Sequence, residues 1–398
     1  MLTKGDYGMS TQNSKKTSSS QKMLTPREKA KRRRRNTILI IIEVIVLLAV
    51  LVACIYIYKM LDSGSDDDNG GIVTDKVHDS NGIPQGANEE VIDKMQNEED
   101  NPMKDYTLIA LFGVDSRAAN LNKENSRSDT IMIAAIHKKT NEVKLVSVYR
   151  DTYLNTGDDY YAKCNTAYAL GGYTQAVAML NANLDLYIED YITIGFSGLI
   201  ETIDALGGVY VDVDSAEIKH LNNYQITMAE DLNKTYTEVT ETGYQLLNGI
   251  QATAYCRIRY TKGDDYKRAE RQREVVMAIL EQAKKASLTE LTEAVNGIIK
   301  QVSTSLTLDE ILNVVASVKD YKIADQNGFP NSTMRTSGTI TGKGDCVVPV
   351  SLAKNVKWLH EFLFNDTDYQ VSITVQSYSD TIYSQVYPYL GELVNENK

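Results

Sequence analysis

Two sets of residues in this chain have the types and spacing that chemistry requires. The first is Asp115, Arg127, Asp129, Arg150 and Asp151; the second is Arg257, Arg259, Asp265, Arg268 and Gln272. Carboxylates that leave water positions open suit Mg²⁺, with Mn²⁺ as an alternative, usually beside substrate phosphates. Guanidinium forks match phosphate oxygens two at a time. Acid and guanidinium in one place would therefore bind a multiply charged phosphate anion with a divalent ion. Taken singly, each residue has an ordinary explanation. An Asp at a strand end is often a turn residue, and an Arg on a helix often makes a solvated pair worth little. The case for a site rests on so many arginines in an acidic domain, at strand ends and on one helix face.

Three apolar runs of strand length must position the first set: 107–114, 130–137 and 143–149. The polar stretch 138–142 suits a hairpin between the second and third. In an antiparallel meander, the first strand ends just before Asp115, the second starts just after Asp129, and the third returns Arg150 and Asp151 to the same rim. For the second set, Arg257 and Arg259 alternate and would share one face of an extended segment. Asp265, Arg268 and Gln272, three and four apart, would share one face of a helix, with Arg271 next to Arg268 and an apolar face at Val275, Val276, Ile279 and Leu280 docking on the core. Between the two sets the pattern predicts a helix near 165–183, a strand near 190–196, a helix near 197–206, a strand over 209–213, and helices near 243–252 and 265–286. Strands mixed with helices at this spacing indicate an α/β (α+β) sandwich, with a mixed central sheet and helices on both faces.

The chain of 398 residues carries a net charge of −11, unevenly spread. Residues 1–36 hold eleven Lys and Arg against Asp6 and Glu28 and read as a disordered cytoplasmic tail. Residues 37–58 follow as a transmembrane helix: 38–58 is apolar except for Glu43, near enough to the inner end to snorkel, and spans about 31 Å at 1.5 Å per residue. Basic residues before an apolar span place the N-terminus inside, and Lys31–Arg35 reads as a topology signal rather than a nucleic-acid patch. Residues 59–104, with twelve Asp and Glu, read as a flexible tether, and 105–398 as an extracellular catalytic domain. Cys164, Cys256 and Cys346 allow either one disulfide, whose pair the sequence does not choose, or small buried thiols.

Motifs recur in a telling order: Phe112–Arg117, Ser126–Thr130, Ser147–Asp151, Lys163–Tyr168 with Gly171 and Gly172, Leu206–Val209, Gly243–Gly249, Tyr255–Tyr260 and Asp265–Arg273. Together they resemble the LytR–CpsA–Psr family of cell-wall glycopolymer transferases, closely over about 105–290 and loosely beyond. The resemblance implies transfer of teichoic acid, capsular polysaccharide or a related polymer from undecaprenyl pyrophosphate to peptidoglycan, by a single-pass protein of the cell membrane. It implies Asp115 and Asp129 as magnesium carboxylates. It implies Arg127, Arg150, Arg257, Arg259, Arg268 and Gln272 on the pyrophosphate, with Asp265 orienting arginines. The family carries a proline before the arginine of its third motif; Tyr149 stands there. Asp265 is preferred to Asp264 for its spacing to Arg268. His78 falls in the tether and His137 at the opposite strand end, so Asp151 is the candidate base, positioning alone being the alternative. Two other functions fit the same features: a membrane-bound regulator of envelope genes, and a polyprenyl-pyrophosphate-binding pyrophosphatase without acceptor.

Overall fold

The computed structural model describes residues 76–114, 121, 126–259, 264–287, 290, 291, 295 and 301–395, all within the compact unit Asp68–Lys398. In chain order the elements are α1 (Glu89–Asn97), β1 (Tyr106–Val114), β2 (Ser128–His137), β3 (Glu142–Val148), β4 (Tyr153–Asn155), β5 (Tyr161–Lys163) and α2 (Thr166–Leu184), which is kinked at Gly171 and Gly172. Next come β6 (Asp190–Gly195), α3 (Phe196–Ala205), β7 (Val209–Val213), α4 (Ser215–Leu232), β8 (Gly243–Leu247), α5 (Gly249–Tyr255) and α6 (Asp264–Ala283). The chain continues through β9 (Val302–Thr304), α7 (Leu308–Ser317), β10 (Lys322–Phe329), β11 (Arg335–Ile340), β12 (Gly344–Pro349), α8 (Leu352–Phe364) and α9 (Ile373–Leu390).

The central sheet has the order β10-β3-β2-β1-β6-β9. β1, β2 and β3 form the expected antiparallel meander, while β6 and β10 join in parallel, so the sheet is mixed. Alternation along β1 assigns its faces. Leu108, Ala110, Phe112 and Val114 join a large core with Val177 and Leu180 of α2, Val356 and Leu359 of α8, and Ile382 and Val386 of α9. On the other face Leu111, Ala134 and Leu145 meet Val276 and Met277 of α6.

Two local readings change. The helix expected near 243–252 begins only at Gly249, behind a capping box of Asn248 and Gln251; residues 243–247 pair antiparallel with β7 instead. Tyr244 and Leu246 lie outward and Leu247 inward, a period of two that the short run hides. The tether expected over 59–104 carries fixed structure from Lys76 on. Val77, Val91 and Met103 are buried in the main core, and the Val77 amide donates to the Glu189 carbonyl at 3.1 Å. Three apolar residues so widely spaced in an acidic stretch make no periodic pattern, so the docking is invisible to composition.

Among the described residues no helix is long and apolar enough to cross a membrane; the expected span 37–58 lies outside them. Cys164, Cys256 and Cys346 are free and buried, the second of the two alternatives.

Candidate functional site

At the rim where β1 ends, the ladder slips. Gly113 pairs with Thr130 and Val114 with Ser128, which leaves Asp129 as the extra residue of a bulge. Bulges re-aim a side chain out of the pleat. Arg150 follows β3 and returns to the same rim, where its Nη1 donates to Asp129 Oδ1 at 2.5 Å. Behind it, Asp151 Oδ2 lies 3.4 Å from Arg150 Nε, and Asp151 Oδ1 lies 2.9 Å from Lys163 Nζ. Burial opposes the charge on Arg150, but Asp129 and Asp151 outweigh it and raise its pKa.

The second set converges on the first. Arg259 approaches Asp129 at 3.7 Å and Asp265 at 3.8 Å, and Asp265 pairs with Arg268 at 3.1 Å. Arg257 and Arg259 lie in the turn and coil after α5 and both reach the site. Arg257 rests over the rings of Phe196, 4.6 Å away, and Tyr224, 5.3 Å away, a cation–π cradle that fixes it to the wall. Arg268 is 4% exposed, and its Nε and Nη1 have no hydrogen-bond partner among the described residues. Burial pushes its pKa down to about 10, with repulsion from Arg150 and Arg259 adding to the effect and Asp265 opposing it. A buried guanidinium left unsatisfied costs several kcal/mol unless an anion completes it.

This cluster is the mouth of an apolar cavity of about 680 Å³. Its floor follows from strand register: Leu111, Met132, Ile192 and Thr304 form one row, and Gly113, Thr130, Ile194 and Val302 the next. Gly113 keeps the floor open at the rim, because a Cβ there would sit 2.9 Å from the Thr130 side chain. Arg268, Gln272, Val275, Val276 and Ile279 of α6 form one wall, a helical stripe that is charged at its start and apolar beyond. Phe196 and Leu199 of α3 and Tyr224 of α4 form another. The lining thus holds three arginines, one carboxylate and a mostly aliphatic interior.

Of the anticipated residues, Asp129, Arg257, Arg259, Arg268 and Gln272 line this cavity, and Arg150, Asp151 and Asp265 adjoin its mouth in a second, small pocket. Arg127 is exposed and does not line it. Asp115 lies outside the described residues. Among the described residues no group of three or more His, Cys, Asp or Glu is placed to hold a metal ion. His137 pairs with Tyr106 at the far end of β2, away from the rim. Phe196, Tyr224 and Lys163 also stand at the site, and residue spacing gives no sign of them.

The LytR_cpsA_psr family model matches residues 77–345. Biofilm regulatory protein A of Streptococcus mutans is 28% identical over 54% of this chain and 55% of its own length. The polyisoprenyl-teichoic acid–peptidoglycan teichoic acid transferase TagU of Bacillus cereus is 32% identical over 55% of this chain and 66% of its own length. The match thus spans between about half and two thirds of these relatives. A solved structure described as TagT bound to LI-WTA aligns with 69% of this chain and 95% of its own at a TM-score of 0.53 and 21% identity, a likeness of fold.

Proposed function

Since the chain belongs to the LytR–CpsA–Psr family, we propose that it transfers a glycopolymer from polyprenyl pyrophosphate to peptidoglycan at the mouth of its apolar cavity. The observation that carries this reading is the junction of a long apolar cavity with a cluster of guanidinium groups, one of them buried and unsatisfied. A ligand with an isoprenoid tail and a diphosphate head satisfies both halves at once. The tail displaces water from aliphatic walls, and the diphosphate supplies the acceptors that Arg268 lacks. The relative TagU is named for the same transfer.

In this reading Arg150, Arg257, Arg259 and Arg268 hold the pyrophosphate, with Gln272 beside them, while Arg127, exposed just before β2, would have to turn inward to join them. Asp265 orients Arg259 and Arg268, and Asp151 orients Arg150 with Lys163 behind it. A peptidoglycan hydroxyl attacks the phosphorus that bears the glycan; the bond to the bridging oxygen breaks and polyprenyl phosphate leaves. Negative charge grows on the bridging and non-bridging oxygens, where the fixed guanidinium groups stabilise it without reorganising. Asp129, and Asp115 by its motif, would offer the hard oxygen donors that Mg²⁺ or Mn²⁺ takes, and the ion would neutralise diphosphate charge there. Asp151 already engages two cations, so positioning of the acceptor carries more of the rate than a strong base does. The domain works outside the cell membrane, anchored by 37–58 with its N-terminus in the cytoplasm.

The test is transfer by the full chain in proteoliposomes, from a polyprenyl-pyrophosphate glycan to peptidoglycan. Arg150→Ala and Asp129→Ala should each lower the rate by about 10²–10³-fold while unfolding shows an intact domain. Normal transfer by either folded variant would refute the assignment.

A further inference from the structure

The β7–β8 ribbon turns one face away from the core. Its cross-strand pairs Tyr210 with Leu246 and Asp212 with Tyr244 place four exposed side chains on that face. Tyr244 is 73% exposed and Tyr210 42%, yet their rings stack at 5.3 Å with only 20° between planes. Two large aromatics held parallel in water form a flat plate, and exposed apolar surface of this kind marks an interaction site. Beside it lies a concavity of about 310 Å³, lined also by Glu274, Glu281 and Gln282 of α6 and by Lys285 in the turn after it. Glu274 is held by the Tyr255 hydroxyl at 2.8 Å and Glu281 by Lys284, so the polar rim is preset.

This chemistry selects its occupant. A lipid surface or an apolar helix would bury Asp212 and Glu281 at a cost nothing repays. A polyanionic chain would meet like charge. A pyranose offers a flat C–H face to the rings and hydroxyl or amide groups to carboxylate, amide and ammonium. We propose that the outward face of the β7–β8 ribbon is a second saccharide subsite, distinct from the arginine mouth, which holds an uncharged or amino-bearing glycan strand. Its role as the dock for the strand receiving the polymer rests on the transferase reading; its saccharide binding does not. One helix joins the two places: Arg268 and Gln282 lie about 21 Å apart along α6 at 1.5 Å per residue, a gap that an extended glycan bridges.

The experiment titrates the full chain in detergent with tetra-N-acetylglucosamine. Tyr244→Ala should weaken binding about tenfold, the worth of a lost aromatic stack, and Tyr244→Trp should retain it. In the transfer assay Tyr244→Ala should raise the acceptor KM by a similar factor and leave kcat unchanged. Arg150→Ala should lower transfer by about 10²–10³-fold yet bind the tetrasaccharide normally, which separates this proposal from the transferase reading. No tetrasaccharide binding by the parent chain, equal binding by Tyr244→Ala, or strong quenching of Tyr244→Trp emission by brominated lipid in nanodiscs would overturn it.

Discussion

Arg268 and Arg271 stand three residues apart on α6 and are nearly equally buried, at 4% and 1% exposure, but their surroundings are opposite. Arg271 faces the α4 side. Its Nε donates to Glu217 at 2.6 Å, its Nη1 to the Ile258 carbonyl at 3.0 Å, and Tyr255 lies under the guanidinium at 5.7 Å. Arg268 faces the cavity with two nitrogens that no described residue bonds. The fold completes one arginine and gives the other only Asp265 at its Nη2, which leaves two nitrogens to a ligand. A buried arginine therefore marks a binding site only when its own chain fails to complete it, and the count of partners separates the two cases where burial does not.

The sharpest way to break this contrast is to truncate both arginines and follow unfolding and transfer together. Arg271→Ala leaves the Glu217 carboxylate buried and unpaired, and should cost about 3–5 kcal/mol of stability. Arg268→Ala removes a buried charge that Asp265 compensates only in part, so its unfolding midpoint should hold or rise while transfer falls by about 10²–10³-fold. Thermal unfolding and the proteoliposome assay read the two effects. Equal destabilisation by both variants would show that Arg268 is as structural as Arg271.

Much of the cluster was legible because it depends on short-range rules. A meander returns alternate strand ends to one rim, and three-and-four spacing puts Asp265, Arg268 and Gln272 on one helix face; both geometries are local, and the ion pairs Arg150–Asp129 and Arg268–Asp265 realise them. Spacing could not assign Arg271, because its partner Glu217 is 54 residues away on α4, a helix absent from the sequence expectations. The signal for α4 was present: Asp214 and Glu217 form a capping box, with Asp214 N donating to Glu217 Oε2 at 2.8 Å. The same carboxylate's other oxygen takes Arg271, so one missed cap concealed both a helix and a buried pair. Membrane anchoring and Asp115 fall outside the described residues, and the cavity's depth depends on the β6–β9 pairing across more than a hundred residues, beyond any local pattern.

His360 is a third kind of buried ionisable group, complete only when neutral. It is 1% exposed, stacks on Tyr369 at 3.5 Å, and its Nε2 lies 3.1 Å from the Leu184 carbonyl. Burial pushes its pKa down to about 3, against the Leu184 hydrogen bond. The unfolded chain binds this proton below about 6.5, the folded chain only near about 3. Its contribution is therefore whole above about pH 6.5 and drains as pH falls, by about 1.4 kcal/mol per unit, or about 2 kcal/mol at pH 5. Unfolding of the parent chain against His360→Phe across pH 7 to 5 checks this: the difference between the two should shrink or reverse on acidification. A constant difference would mean that His360 takes up its proton without leaving the core.

Between the completed and the incomplete arginine lies Arg335, whose partners are shared out. Its Nη1 donates to the Tyr149 hydroxyl at 3.1 Å and the Pro330 carbonyl at 3.0 Å, while its plane covers the Tyr266 ring at 3.9 Å and the Tyr149 ring at 4.8 Å. Tyr149 stands immediately before Arg150, and a Cβ at residue 328 would lie 2.0 Å from its hydroxyl, so Gly328 makes room for it. Tyr149→Phe keeps both rings and the carbonyl and removes one hydrogen bond, so it should cost about 1 kcal/mol and leave transfer close to the parent rate. Chemical denaturation beside the transfer assay would show it. If Tyr149→Phe instead cost as much as Arg271→Ala, a single hydroxyl would be holding Arg335, and stability would follow one partner rather than the sum of several.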